Sequence, residues 1–300
     1  MVVMLPAVTL AITLVSPDSA ALAAAGQALV SRLAAVKGQG PLGPEALDFS
    51  LEAADLKSVR EEAQNLLAEL PVDVCVQSSE GRRKGLLVAD MDSTIISCEC
   101  LDELADYAGV KDEIAAITER AMRGELSFEP ALRERVSRLK GLPLDRLQRC
   151  YEERVRLNPG AEVFVKTMVA HGAKAFLVSG GFEFFTSRVA KAAGFTDHRG
   201  NQLLNDGALL TGLVGEPILG REAKLAALQG EAAALGLELS ATLAIGDGAN
   251  DLAMIEAAGL GAAYRAKPVV AAQADVRIDH ADLTALLYFQ GYRREDFAAI

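Results

Sequence analysis

The stretch GLLVADMDSTIIS, residues 85–97, decides the reading of this chain. Its apolar run has no polar alternation, as in a strand buried on both faces, and it ends in Asp90 and Asp92, with Ser93 and Thr94 behind them. Gathering two carboxylates at the end of a buried strand costs free energy unless something there offsets it. In extended chain alternate side chains point the same way, so the two aspartates are expected to converge on one point. A divalent cation removes their mutual repulsion. Mg²⁺ typically takes one or two carboxylates and completes its octahedron with water and phosphate oxygens. The duller reading is that the pair caps the helix that follows.

Outward from this stretch the pattern repeats. AKAFLVSGG (173–181), ATLAIGDG (241–248), GLGAAY (259–264) and ADVRID (274–279) read as further strands. Helical periodicity lies between them, over 183–193, 222–235 and 251–258. Continuous apolar strands alternating with helices specify an α/β fold with a doubly wound parallel sheet. Roughly eighty residues separate the first of these strands from the second, far more than a crossover requires. That interval reads as four helical stretches, CLDELADYAG, KDEIAAITERAMRG, PALRERVSRLKG and PLDRLQRCYEERV. A helical insert from about 97 to 160 is placed to cover the carboxyl edge of the sheet, where open α/β folds bind ligands. The NDG at 205–207 suggests a hairpin.

Residues 1–80 read as a separate small α/β module. A strand over 7–14 precedes a helix over 19–36, the Gly/Pro stretch KGQGPLGPE, a helix over 56–70 and a strand over 72–76. The polar QSSEGRRKG is the expected boundary, with residues 81–300 forming the larger domain. The opening MVVMLPAVTLAITLV has no Lys or Arg before its apolar run and is interrupted by Pro6, so it reads as a buried strand rather than a leader or a membrane span. With no other apolar run of membrane-spanning length, a cytoplasmic protein without a membrane partner is expected.

Composition narrows the chemistry. A net charge of -11 excludes a nucleic-acid binder, which needs a basic face, and requires that any anionic substrate be drawn in by local cations or a metal. Cys98 and Cys100 lack the second pair that a structural zinc site needs, so the cysteines read as free thiols of a reducing compartment. The histidines His171, His198 and His280 match no triad or zinc spacing. No G-x-x-x-x-G-K-[ST] and no G-x-S-x-G occurs. The strand ends do supply a set: GDGANDL carries Asp247, Asn250 and Asp251, VSGGF carries Ser179 before two glycines whose N–H groups could face an anion, and Lys224 lies near a helix start. Acidic pairs, a hydroxyl and one lysine around one crevice form the inventory for phosphoryl transfer.

In their order along the chain, DMDST, VSGG, Lys224 and GDGAND resemble the motifs of the haloacid dehalogenase superfamily of phosphotransferases, over roughly residues 81–290. Glu99 in SCECLDELADYAG and the run ERAMRGELSFEPALRERVSRLKGLP resemble the phosphoserine phosphatases within it, and residues 1–80 resemble the ACT-like extension of many bacterial members. The resemblance implies Asp90 as the nucleophile that becomes an aspartyl-phosphate and Asp92 as the general acid/base, with its backbone carbonyl on Mg²⁺. Asp247 is then a metal ligand and Asp251 a support of the metal site. Ser179, Gly180 and Lys224 are implied to hold phosphoryl oxygens, and Asn250 to bind substrate. Glu99 would pair with a serine ammonium and Arg135 with its carboxylate, while Met122 and Phe128 close over it. Arg133 and Arg138 compete for the cation role, which helical periodicity alone leaves open.

The implied activity is Mg²⁺-dependent hydrolysis of O-phospho-L-serine, the last step of serine biosynthesis, on a small-molecule substrate. Two alternatives stand beside it: a related enzyme acting on another small phosphomonoester or passing phosphate to homoserine, and a regulatory amino-acid binder that has lost catalysis. A homodimer is an assembly the resemblance allows.

Overall fold

The change of pattern near residue 80 separates two sheets in the computed structural model, which describes residues 8–33, 36–53, 55–122 and 125–300. The first is built from β1 (Val8–Val15), α1 (Ser19–Arg32), β2 (Val36–Gly43), β3 (Ala46–Ala53), α2 (Leu56–Leu67) and β4 (Asp73–Ser78). Its antiparallel order is β2-β3-β1-β4, and the β-α-β-β-α-β connectivity makes it ferredoxin-like. Asp18 caps α1 by accepting from the N–H groups of Ala20 and Ala21, and Asp55 caps α2 through Lys57.

Two features of this module differ from expectation. The helix expected to reach residue 36 stops at Arg32, and the Gly/Pro stretch forms β2 and the turn into β3. Strand β2 lies at the sheet edge, the place where proline and glycine are tolerated, so its composition hid it. The alternation of Leu47, Phe49 and Leu51 in β3, which pack into the first sheet's core, is a strand signal that the Gly/Pro reading passed over. Residue 7, where the first strand was expected to begin, lies outside the described residues.

The second part runs β5 (Leu86–Ala89), α3 (Cys100–Ala108), α4 (Lys111–Met122), α5 (Phe128–Ser137), α6 (Leu144–Arg154), α7 (Ala161–Ala170), β6 (Lys174–Phe182) and α8 (Glu183–Ala193). It continues with β7 (Asp197–Asn201), β8 (Leu203–Asn205), β9 (Leu210–Val214), α9 (Arg221–Ala234), β10 (Thr242–Gly246) and α10 (Leu252–Ala257). It closes with β11 (Leu260–Tyr264), α11 (Pro268–Ala271), β12 (Val276–Ile278) and α12 (Ala285–Phe289). Six strands pair in parallel in the order β12-β11-β10-β5-β6-β7.

Successive residues of β5 feed different cores. Leu86 and Val88 pack with Leu228 of α9 and Met254 of α10, whereas Leu87 and Ala89 pack with Phe164 and Met168 of α7. Helices on both faces therefore explain the absence of polar alternation in this strand. The chain runs from β5 toward β7 in one direction and returns to fill β10–β12 in the other, so the topological switch point lies between β5 and β10.

Helices α3–α6 leave the sheet through a zipped stem. Ile96 bridges Leu157, the Ser97 N–H donates to Arg156 O at 3.0 Å, and the Asn158 N–H donates to Ile95 O at 2.8 Å. The buried Asn158 side chain adds bonds to Thr94 O and Ile96 O. Hairpin β8–β9 forms around the NDG as expected and docks on the insert through Gly141 N–H to Leu210 O and Leu144 N–H to Ala208 O. The QSSEGRRKG segment is anchored rather than loose. Its Arg82 pairs with Asp48 at 2.8 Å, and Lys84 donates to Ser240 O. All four cysteines are free thiols, and among the described residues no helix is long and apolar enough to cross a membrane.

Candidate active site

Strand β5 stops at Ala89, one residue before the first aspartate. The Asp90 N–H still bonds Ile245 O of β10, but the chain then turns so that the Ile95 and Ile96 N–H groups both reach Met91 O, with Ser93 at φ 56°. Asp90 and Asp92 therefore face one cleft because of a tight turn. Strand alternation, the expected cause, does not operate there.

The two carboxylates have different partners. Asp90 Oδ1 accepts the Met91 N–H at 2.8 Å and pairs with Lys224 Nζ at 2.7 Å; no hydrogen bond to its Oδ2 is found among the described residues. Asp92 Oδ1 accepts the Cys100 N–H at 2.9 Å, and Oδ2 accepts from Ser179 Oγ at 3.1 Å. Cys100 is the first residue of α3, so the helix-capping reading holds for Asp92 in part. Glu99 makes no capping bond and instead accepts from Ser93 Oγ at 2.7 Å.

Asp247 and Asp251 follow β10. A Cβ on Gly246 would lie 2.3 Å from Asp251 Cγ, so only glycine admits the buried Asp251 side chain. Both Asp251 oxygens are engaged: Oδ1 with Lys224 Nζ at 2.5 Å, Oδ2 with the N–H groups of Asp247 and Gly248. Asp251 thus fixes Lys224 and the loop. Lys224, 2% exposed, ties Asp90 and Asp251 together.

Carboxylate oxygens of Asp90, Asp247 and Asp251 lie within 4.8 Å of one another. An all-oxygen donor set of this kind suits a hard divalent cation, and Asp90 Oδ2, which has no hydrogen bond among the described residues, is available to one. The Asp92 carboxylate is outside this cluster.

Electrostatics point the same way. Burial pushes Asp92 up to about 6, with Glu99 adding and the Cys100 and Ser179 donors opposing. Burial, then Asp251 and Glu99, push Asp247 up to about 6 as well, against Lys267 and Lys224. Asp90 is raised by burial and Asp251 against Lys224, and Lys224 is held above its usual value by Asp90 and Asp251 despite burial. Crowded carboxylates raised in this way are relieved by a bound cation.

A cleft of about 460 Å³ opens above these groups. Asp90, Asp92, Ser179, Gly180, Asp247 and Asn250 line it from the sheet side, and Glu99, Phe128 and Arg135 line it from the insert. The three arginines differ in their partners. Arg133 is taken by Glu129 and Glu216 and Arg138 by Glu113, whereas Arg135 lines the cleft and, among the described residues, has only a 3.3 Å bond to Ala131 O. Phe128 closes on the sheet through missing side chains, since a Cβ at Gly180 would stand 3.2 Å from its ring. The Met122 side chain lies outside the described residues. One expectation fails: the Gly181 N–H is given to Ser179 Oγ at 2.8 Å and is not presented to an anion.

Four residues went unread in the sequence. Asn201, 2% exposed, holds Gly180 O at 2.8 Å and accepts the Leu219 N–H, fixing the VSGG turn from β7. Asp102 and Thr118 line the insert side of the cleft, and Lys267 lines the sheet side. Lys267 had a signal, because it lies just past the carboxyl end of GLGAAY. Asn201 had none, being a polar residue on a short edge strand.

With this geometry in place, the chain matches the family of haloacid dehalogenase-like hydrolases over residues 87–256. A phosphoserine phosphatase of Streptococcus thermophilus is 48% identical over 200 residues, covering 67% of this chain and 93% of that one. A HAD-family hydrolase from Salmonella enterica serovar Typhi superposes with a TM-score of 0.85 at 29% identity, over 94% of this chain and 98% of that one. A substrate-bound phosphoserine phosphatase superposes with a TM-score of 0.63 at 37% identity, over 69% of this chain and 98% of that chain.

Proposed function

The chain belongs to the haloacid dehalogenase-like hydrolases and among them to the phosphoserine phosphatases, and from that premise we propose that it hydrolyses O-phospho-L-serine to L-serine and phosphate, with Mg²⁺ as its divalent cation. It is a phosphoric monoester hydrolase. The observation that carries the substrate is that an insert carboxylate, Glu99, and an insert cation, Arg135, which forms no ion pair among the described residues, line one cleft with the Asp90 cluster. A zwitterionic amino acid needs one fixed charge of each sign, and a phosphate end directed at Asp90 leaves its amino-acid end between these two.

The chemistry follows from the partners of each group. Asp90, oriented by Lys224 and Met91, attacks phosphorus through Oδ2, the oxygen left unbonded, and forms an aspartyl-phosphate. Asp92 carries the proton: its carboxyl gives it to the departing serine oxygen and then takes one from the attacking water. A value near 6 suits it to both directions close to neutrality. The Ser179 hydroxyl orients Asp92 and lines the cleft where it can hold a phosphoryl oxygen, and Lys224 offsets charge at Asp90. Bound Mg²⁺ supplies the remaining charge neutralisation at the transferring group. Phe128, Leu101 and Leu132 line the insert side with apolar surface that excludes water from the reacting end.

We assign residues 1–80 to an ACT-like domain and 81–300 to the phosphatase domain, with the cap insert over about 97–160. The ferredoxin-like order of the first sheet and the zipped stem at 94–97 and 156–158 support that division. A cytoplasmic location fits the reading.

The test is turnover of a phosphomonoester panel by the purified chain with Mg²⁺. Preference for phosphoserine over sugar phosphates is expected, and equal turnover would remove the specificity. Phosphate release that falls as phosphohomoserine accumulates on adding homoserine would instead identify a transferase.

A further inference from the structure

The cleft holds an electrostatic imbalance that the proposed mechanism does not use. Among the described residues its lining carries Asp90, Asp92, Glu99, Asp102 and Asp247 against two cations, Arg135 and Lys267. The protein as a whole is also acidic, at a net charge of -11. A divalent cation at the Asp90–Asp247 cluster offsets part of this charge, but Asp92, Glu99 and Asp102 still face an approaching phosphomonoester dianion. Lys224 does not correct this from the surface, since it is buried and committed to Asp90 and Asp251. Arg135 belongs to the insert and to the end of the cleft beside Glu99.

Lys267 is built differently. Its backbone N–H donates to Asp247 O at 3.1 Å, which ties its position to the acid at the end of the neighbouring strand β10. It precedes Pro268, the first residue of α11, whose ring pre-sets helical backbone there. Two residues earlier Arg265 adopts φ 44°, a left-handed conformation uncommon for a side-chain-bearing residue, and this redirects the chain from β11 back toward the cleft. The backbone is thus held while the side chain stays exposed, and among the described residues no ion pair includes it. A fixed attachment with a free ammonium at the rim is suited to receive an anion.

We propose that Lys267 is a substrate-binding residue that captures the phosphate end of the substrate at the sheet side of the cleft mouth. It draws the dianion past the acidic rim and retains inorganic phosphate before release. Lys224 and Lys267 then divide the work: one orients the nucleophile from beneath, the other raises the local concentration of the anion from above. The inference rests on the phosphatase reading but concerns only the phosphate end, so it holds for any phosphomonoester the chain accepts.

The test compares the unsubstituted chain with Lys267→Gln and Lys267→Arg, using phosphoserine across a salt series. For Lys267→Gln, kcat/KM at low ionic strength should fall about tenfold, the scale of electrostatic steering, with kcat within about twofold. The gap should narrow as salt rises, because exposed charges are screened beyond roughly 10 Å at 0.1 M. Lys267→Arg should restore most of the loss. Binding of inorganic phosphate, followed by calorimetry, should weaken by a similar factor.

An unchanged kcat/KM at low salt would overturn the proposal. So would an equal loss in kcat, which would make Lys267 a transition-state group, or a deficit that salt does not reduce, which would indicate structural damage. If the unsubstituted chain fails on phosphoserine, the substrate assignment falls; the Lys267 comparison then runs on another phosphomonoester or on phosphate binding alone, and its outcome stands separately.

Discussion

Asp90 and Asp92 are the same residue type two positions apart, and their neighbours separate their chemistry. An ammonium at 2.7 Å favours the ionised form of Asp90 against burial, and a cation bound beside it adds to that. Burial, with the Glu99 charge adding and the neutral Cys100 and Ser179 donors opposing, holds Asp92 near 6. Asp90→Asn should lower turnover by a factor on the order of 10³ or more, because it removes the attacking oxygen while keeping the shape. Unchanged phosphate release in a coupled assay would point to another nucleophile.

The raised carboxyls also fix a pH dependence. Asp92 and Asp247 stand near 6 in the folded chain against a usual 3.8, so between these values the folded state binds more protons than the unfolded one. Their contribution to metal-free stability is present below about 4 and lost as pH rises through 6. Melting of the chelated protein across pH 4–8 should carry that slope, and Asp247→Asn should flatten it. Divalent metal added at pH 6 should release protons and at pH 8 should not, which calorimetry in buffers of different ionisation enthalpy measures.

At the scale of elements, helix α5 shows how periodicity yields a set of candidates and partners select one. Arg133, Arg135 and Arg138 all lie on or at the end of that helix, and two of them face carboxylates outside the cleft. Arg135→Ala should raise KM for phosphoserine by about 10–100-fold, the worth of a charge-assisted bond, and leave KM for phosphoethanolamine, which has no carboxylate, nearly unchanged. Arg133→Ala should change neither, its pairs being exposed. The β10–α10 loop makes the complementary point for glycine. Gly246→Ala forces a Cβ against Asp251, with a destabilisation of about 1–3 kcal/mol and a loss of kcat as Lys224 loosens; melting and kinetics read the two effects.

Across the whole molecule, the two sheets are joined by buried polar contacts that composition could not announce. Asp73, 3% exposed, accepts the N–H groups of Asp279, His280 and Ala281, and beside it Arg60 pairs with Asp275 at 2.7 Å. Three backbone donors lose their acceptor in Asp73→Ala, so a destabilisation of about 1–3 kcal/mol is expected. Limited proteolysis between residues 77 and 85 should accelerate with it; an unchanged melting point and cleavage rate would show that the seam contributes nothing.

The parallel sheet, the four insert helices and the Asp90, Asp247, Ser179 and Lys224 set were legible along the chain, because strand burial and helical periodicity are local properties and the motifs lie at strand ends. The edge strand β2 was not, since its glycines and proline are permitted by its place in the sheet, which residues far along the chain establish. The family resemblance named Arg135 and Asp251, but the partners that set Arg135 apart from Arg133 and Arg138, the bonds by which Asp251 braces Lys224 and the loop, the Asn201 clamp and the cleft position of Lys267 belong to the tertiary structure. Each depends on which charge or carbonyl another segment brings within bonding distance, and a linear pattern carries no information about that distance.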